Sequence, residues 1–167
     1  EEINLDIAVE AGIPEEFVSD EQSRLELYQR IAAAPNERAL VDLDAELRDR
    51  FGAVPASTER LFDLVRLRQR ASRLGITTIV ERDGDIVVRP VIGGKLSQQQ
   101  LRRELGNGIR VTPNQVRIRV EDLRVTRDVA LNRLFDVIAS AGASMAVQGD
   151  ESSSTSSSAM MARARSA

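Results

Sequence analysis

Cysteine and histidine are both absent from this chain of 167 residues. Their absence excludes disulfides, thiolate or imidazole metal ligands, and nucleophilic sites that depend on Cys or on a Ser–His pair. Aromatic residues make up only 3% of the chain, which leaves few platforms on which nucleic-acid bases could stack. Much enzymology is therefore excluded by composition, and the remaining patterns point to docking rather than catalysis.

A basic excess and a long apolar run are missing as well. The formal net charge is −3, so the chain as a whole has no electrostatic reason to bind nucleic acid. No apolar run approaches the roughly 20 residues that cross a bilayer, and the first residues lack the basic and apolar regions of a signal peptide. We expect a soluble, cytosolic protein. Because the first residue is not Met, we expect a piece of a longer polypeptide.

Hydrophobic periodicity predicts an α+β domain in which the helices come early. Residues 2–9 alternate between apolar and polar as a half-buried strand does. Three helices with short connections follow, and each begins after a residue that can accept a hydrogen bond from the first turn. The first helix is predicted to begin after Asp20 and to end at 33–34, the second to run from Asn36 to Gly52, and the third from Ser57 to Gly75. Both glycines suit the left-handed position that follows a helix.

The second half predicts two β-hairpins, a short helix between them and a closing C-terminal helix. Asp83-Gly84 is a strong hairpin turn signal between two runs rich in Ile, Val and Thr. The predicted strands are 76–82, 85–89, 109–111 and 116–120. The predicted helices are 98–105, with Ser97 as its cap, and 126–140. The hairpins are expected to form a small antiparallel sheet. One domain over residues 1–147 and a Ser-rich disordered tail over 148–167 complete the prediction.

The second predicted helix separates charged from apolar surface most clearly. Asp42, Glu46 and Asp49 stand at i, i+4 and i+7 and share one face, whereas the leucines of this helix and Phe51 share roughly the opposite one. One face is for the core, and the other faces water or a cationic partner. Most charged helix faces are simply solvated, so this pattern leaves both interpretations open.

The third predicted helix carries a basic stripe of Arg66, Arg70 and Arg73. Such a stripe suits an accessory nucleic-acid-binding domain that tracks phosphates, although a solvated or intramolecularly paired face is the commoner outcome. A third hypothesis is a small-molecule enzyme that uses carboxylates. That hypothesis requires a deep pocket with inward acids of perturbed pKa, and the acids of this sequence fall mainly on outward faces or turns.

Several motifs occur in an order that resembles a known family. They are Ile13-Pro-Glu-Glu-Phe-Val18, Arg24-Leu25, Tyr28-Gln-Arg-Ile-Ala32, Glu46-Leu-Arg-Asp-Arg-Phe-Gly52 with Pro55, and Leu67-Arg-Gln-Arg-Ala-Ser-Arg-Leu-Gly-Ile76. On these motifs the chain resembles the C-terminal domain of bacterial transcription-repair coupling factor (Mfd). The resemblance is specific from about residue 3 to residue 80 and looser from 81 to 147.

The resemblance implies a regulatory role without catalysis. In that family an ATP- and Mg-dependent DNA translocase motor pushes stalled RNA polymerase off damaged DNA and recruits UvrA for nucleotide excision repair. The C-terminal domain packs on the UvrA-binding module of the same polypeptide and masks it until RNA polymerase is engaged. This chain resembles none of the motor, so we expect no cofactor of its own, no membrane contact and only an indirect relation to DNA.

The resemblance also assigns the docking residues. The family's acidic contacts to arginines of the masked module fall on Glu46 and Asp49, and Asp42 extends the same face. This interpretation requires the carboxylates to lie outside the domain and to be free of its own arginines. Because the excised domain leaves its docking surface bare, we also expect weak self-association.

Overall fold

The computed structural model describes residues 2–146, so the predicted tail at 148–167 lies outside the described residues. Within that range the chain forms five α-helices and one five-stranded sheet. The helices are α1 Glu21–Ala32, α2 Glu37–Phe51, α3 Ala56–Arg73, α4 Gln98–Leu105 and α5 Arg127–Ser140. The strands are β1 Asn4–Asp6, β2 Thr78–Arg82, β3 Asp85–Arg89, β4 Ile109–Val111 and β5 Val116–Arg119. The α+β prediction is confirmed.

The sheet has the order β1-β2-β3-β5-β4. Both predicted hairpins form, and β3 pairs with β5, so the four later strands are antiparallel. The N-terminal strand is shorter than predicted and pairs with β2 in parallel, with Leu5 opposite Ile79. The sheet is therefore mixed rather than purely antiparallel, because three helices intervene between β1 and its partner and return the chain in the same direction.

Helix starts follow the predicted caps with one exception. The side chains of Asp20, Asn36 and Ser97 accept hydrogen bonds from backbone amides of the first turns of α1, α2 and α4. Ser57 was predicted to cap α3, and that prediction is wrong. The helix begins at Ala56, and the carbonyl of Pro55 accepts from the amides of Thr58 and Glu59, three and four residues further on. The fixed φ of proline suits this position, where no amide donor is needed.

Gly52 ends α2 in a conformation that differs from the predicted left-handed one. Its φ of 90° and ψ of −153° lie in a region that essentially only glycine adopts. Its amide donates to the carbonyl of Arg48 at 3.1 Å. This turn redirects the chain at once, so that α3 follows after four residues.

Two hydrophobic clusters divide the molecule, and α3 belongs to both. We call the part built on α1, α2 and the first half of α3 the helical lobe (residues 11–65). The remainder, residues 2–10 and 66–146, is the sheet lobe. Phe62 and Val65 of α3 lie in the first cluster, whereas Leu67 and Ala71 lie in the second. The position of α2 relative to the sheet is thus set by one shared helix.

A nearly buried ion pair ties three parts of the sheet lobe together. Both carboxylate oxygens of Glu81 accept from Arg127 at the start of α5, at 2.7 and 2.8 Å, and one also accepts from the amide of Ala8 at 2.8 Å. The glutamate side chain is only 12% exposed. The hydrogen bond from Arg127 holds the pKa of Glu81 below its ordinary range. The pair therefore fixes the segment after β1, β2 and α5 to one another.

Candidate docking surface on the second helix

The acidic residues of α2 lie on the outer side of the helical lobe, as the helical spacing predicted. Leu40, Leu43 and Leu47 are buried against α1 and α3, and the Phe51 ring packs edge-on against Phe17 with centroids 5.7 Å apart. We call the opposite row, Asp42, Glu46 and Asp49, the acidic ridge. Asp42 and Asp49 are exposed, and the Glu46 side chain is 36% exposed.

Glu46 is engaged by an arginine of the neighbouring helix. Arg30 of α1 donates from its two terminal nitrogens to the two Glu46 oxygens, at 2.5 and 3.1 Å. Arg50, one turn further along α2, lies 3.6 Å from the same carboxylate. The hydrogen bond from Arg30 is the main reason that the pKa of Glu46 lies below its ordinary range. Glu46 is thus ionised and held in one orientation.

This pairing departs from the expectation that both key carboxylates would be free of the domain's own arginines. Asp49 meets that requirement: within residues 2–146 no Arg or Lys nitrogen lies within 4.0 Å of its carboxylate. Glu46 does not meet it. Helical spacing within α2 carries no information about Arg30, because the contact crosses two helices. The only signal for it is that α1 and α2 are joined by a short turn, which makes them neighbours.

The engaged carboxylate retains capacity for a second partner. A carboxylate has two oxygens and about four acceptor positions, of which Arg30 occupies two. At the other end of the ridge, Asp42 lies 3.3 Å from Arg38, with both side chains largely exposed. Exposed pairs of this kind contribute only about 0–1 kcal/mol and exchange readily. On the acidic ridge, therefore, all acceptor positions of the Asp49 carboxylate and some of those of Glu46 are available to the guanidinium of a partner.

Two of the three arginines in the basic stripe predicted on α3 are paired with other residues of the chain. Arg66 donates to both oxygens of Glu37 and to Asp63, and Arg70 contacts Asn132 and Asp136 and lies over the Phe135 ring. Arg73 instead borders a groove between the residues just before β1, the α1–α2 turn and α3. The helix does not present three free guanidiniums in one row, so the structure favours the paired interpretation over a phosphate track.

The groove beside Arg73 also bears on the enzyme hypothesis. It has a volume of about 640 Å³ and is lined mainly by Ala32, Ala34, Pro35, Arg68 and Gln69, with Glu2 as its one carboxylate. Over residues 2–146, no group of three or more Asp or Glu side chains is placed to hold a metal ion. The groove therefore lacks the set of inward-facing carboxylates that the enzyme hypothesis requires.

None of the helices described here has both the length and the apolar character that a membrane crossing requires.

Comparison with known proteins gives a consistent picture. A family model described as the TRCF domain matches residues 7–101, more than half of the chain. The transcription-repair-coupling factor of Escherichia coli (strain K12) is 38% identical over 76 residues, which are 46% of this chain and 7% of that protein. The corresponding factor of Staphylococcus haemolyticus (strain JCSC1435) is 30% identical over 104 residues, 62% of this chain and 9% of that protein. The chain therefore spans less than a tenth of these relatives.

The fold has a counterpart among solved structures. A crystal structure of the C-terminal domain of a transcription-repair coupling factor superposes with a TM-score of 0.63 and covers 84% of this chain and 93% of its own. The sequence identity of that pair is 18%, so the likeness concerns the fold.

Proposed function

The chain belongs to the TRCF domain family, and on that premise we propose that it is a regulatory domain that restrains a transcription-repair coupling factor. In this proposal it packs on the UvrA-binding module of the same polypeptide and masks it. UvrA recruitment and motor activity are held back until RNA polymerase is engaged. The ATP- and Mg-dependent motor belongs to the rest of the polypeptide, and the site of action is the bacterial cytoplasm.

The observation that carries the proposal is the outward position of Asp49 beside the half-engaged Glu46. The two carboxylates stand three residues apart on one helix face, at the i, i+3 spacing that makes side chains neighbours. Arginine suits such a pair, because its planar fork meets a carboxylate with two parallel hydrogen bonds. A module that presents two arginines at matching spacing would engage both ends of this part of the ridge.

Arg30 gives this surface a fixed geometry. A free glutamate loses side-chain entropy when it is ordered by a partner, but Glu46 is already held by Arg30. An incoming guanidinium therefore either shares the carboxylate or displaces Arg30, and Asp49 supplies the contact that needs no displacement. In this proposal Asp49 is the principal anchor, Glu46 is a preoriented second contact and Asp42 extends the ridge.

The energies involved suit a latch that can be opened. Removing one partner of a well-buried interfacial charge pair costs about 2–5 kcal/mol. A cost of that size shifts a closed-to-open equilibrium by roughly one to several powers of ten. A small charged surface is therefore sufficient to hold the module closed, while forces from the motor or from RNA polymerase remain able to separate it.

Charge reversal in the full-length factor tests the proposal. Glu46→Arg combined with Asp49→Arg is expected to expose the masked module, so more UvrA is captured in a pull-down and ATP hydrolysis is less restrained. Glu104→Arg is a control for the reversal of a charge elsewhere, because Glu104 is an exposed acid on α4 of the sheet lobe. Unchanged UvrA capture by the double variant, with normal folding, would reject the latch assignment.

A further inference from the structure

The outer face of the sheet is open and rich in arginine. Alternate residues of the strands point inward, where Ile79, Ile86, Ile109 and Ile118 are at most 1% exposed against the helices. The intervening residues form the opposite side, which we call the outer face. Its members are Asn4 and Asp6 of β1, Thr78, Val80 and Arg82 of β2, Asp85, Val87 and Arg89 of β3, Arg110 of β4, and Arg117 and Arg119 of β5.

The charge on this face is unbalanced. Five arginines stand against two carboxylates, although the whole chain is acidic. Asp85 is shared by Arg117 and Arg119, at 3.4 and 3.3 Å. No Asp or Glu oxygen described in residues 2–146 lies within 4.0 Å of the guanidinium nitrogens of Arg82, Arg89 or Arg110. The face thus carries positive charge that the domain itself does not neutralise.

Two of these arginines are placed against each other. Arg110 and Arg117 are direct cross-strand partners in the β4–β5 ladder, and like charges at such positions are destabilising. The next residue in the same row is Val87, and of these two arginines Asp85 contacts only Arg117, at 3.4 Å, so among residues 2–146 Arg110 faces Arg117 without a carboxylate of its own. An arrangement that costs folding free energy is explained if an external anion relieves the repulsion.

We propose that the outer face binds the phosphodiester backbone of a nucleic acid, with no preference for base sequence. Strands lie about 4.8 Å apart, so the arginines from β2 to β4 span roughly 14 Å. Duplex DNA presents one charge per about 1.7 Å of its axis, so this width meets several phosphates at once. The outer face carries no aromatic side chain, which leaves backbone contacts without base stacking.

The same features disfavour an acidic protein as the partner. Protein interfaces centre on buried aromatic or aliphatic anchors that fill pockets. Here the central apolar residues are Val80 and Val87, half-buried between the arginines, and the pocket beside the sheet edge is built by β1, α1 and α3 instead. A broad, shallow and positive surface fits a repeating polyanion better than a folded partner.

This inference is independent of the proposed function. The acidic ridge belongs to the helical lobe, whereas the outer face belongs to the sheet lobe. Variants of Arg82, Arg89 and Arg110 leave Asp49 and Glu46 untouched. Failure of one proposal therefore does not imply failure of the other.

Fluorescence anisotropy with a labelled DNA duplex of random sequence tests the inference on the isolated chain. The test variant carries Arg82→Gln, Arg89→Gln and Arg110→Gln. The control carries Arg102→Gln, Arg103→Gln and Arg124→Gln, which removes the same charge from exposed arginines of α4 and the segment after β5. All three proteins are compared by circular dichroism, and we expect no loss of fold because none of the substituted side chains is buried.

The expected result for the unmodified chain is binding with Kd of about 10⁻⁶–10⁻⁴ M that weakens steeply with salt. The test variant is expected to lose at least about tenfold in affinity, and its slope of log K against log salt should fall by roughly 2 to 3. The control is expected to stay near the unmodified chain. Equal loss in both variants, no binding by the unmodified chain in low salt, or binding of poly-glutamate in place of the duplex would each overturn the proposal.

Discussion

The helical lobe and the outer face of the sheet differ in how their surface arginines are paired. In the helical lobe and at its border with the sheet, Arg30, Arg48 and Arg66 each reach one or more carboxylates of another helix or turn. On the outer face of the sheet, Arg110 stands opposite Arg117 and neither Arg82 nor Arg89 has an acidic partner among the described residues. The first surface is electrostatically satisfied except at a few acids, and the second is not.

This difference separates two kinds of recognition. A surface whose arginines are paired, and whose exposed Asp49 is not, can select a partner by geometry. A surface with a net excess of one charge binds a polyanion broadly and depends strongly on salt. We therefore expect the surfaces of the two lobes to differ in binding, while the two hydrophobic clusters unfold together as one cooperative unit.

The largest effects are expected from the two buried phenylalanines, Phe62 in the helical cluster and Phe135 in the sheet cluster. Either one replaced by Ala should lower the free energy of unfolding by about 3–5 kcal/mol. Because α3 belongs to both clusters, we expect one transition in urea. Tyr28, the only tyrosine, reports on the helical lobe by fluorescence while circular dichroism reports on the whole chain. Two separate transitions would show that the lobes unfold independently.

A smaller effect is expected from the ion pair of Glu81 and Arg127 in the sheet lobe. Glu81→Gln leaves Arg127 and the amide of Ala8 with a weaker acceptor in a poorly exposed site, at a cost of about 1–3 kcal/mol. Urea unfolding at pH 7 measures this cost. A change below about 0.5 kcal/mol would show that the pair does not fix β1 and α5 to the sheet.

The same pair has a defined pH dependence. Because the folded-state pKa of Glu81 is lowered, its stabilisation is fully present above the ordinary glutamate pKa of about 4.3. It is lost as the pH falls through the lowered folded-state value. The difference in unfolding free energy between the unmodified chain and Glu81→Gln should therefore shrink as the pH is lowered from 6 toward about 3. A difference that stays constant with pH would contradict this assignment.

The smallest effect on folding is expected from Arg30 in the helical lobe. Arg30→Gln removes the partner of Glu46 from an exposed position, so the change in unfolding free energy should stay below about 1 kcal/mol. Because Arg30 orients Glu46 for docking, the same change should weaken binding of the UvrA-binding module a few-fold. Tighter binding would show instead that Arg30 competes with the docking partner for Glu46.

The sequence predicts local structure in this domain better than it predicts contacts between elements. Asp20, Asn36 and Ser97 cap helices as expected because capping depends on three or four consecutive residues. The buried face of α2 follows from spacing alone. By contrast, the parallel pairing of β1 with β2 joins Leu5 to Ile79, and the whole helical lobe lies between them in sequence, so no local pattern specifies the pairing.

The same limit applies to the candidate site. The sequence of α2 alone predicts that the acidic ridge faces outward. The burial of the leucines on the opposite face of α2 agrees with that direction. The Arg30–Glu46 pair is not readable, because it depends on how α1 crosses α2. The repulsive pair of Arg110 and Arg117 likewise appears only once the register of the second hairpin is known.

Direct binding of this chain to the separately produced UvrA-binding module, measured by titration calorimetry, tests the central claim most directly. The account predicts that the unmodified chain and Glu104→Arg bind with similar affinity, and that Asp49→Arg lowers the affinity at least about tenfold. Equal binding by Asp49→Arg, with its fold intact, would contradict the account.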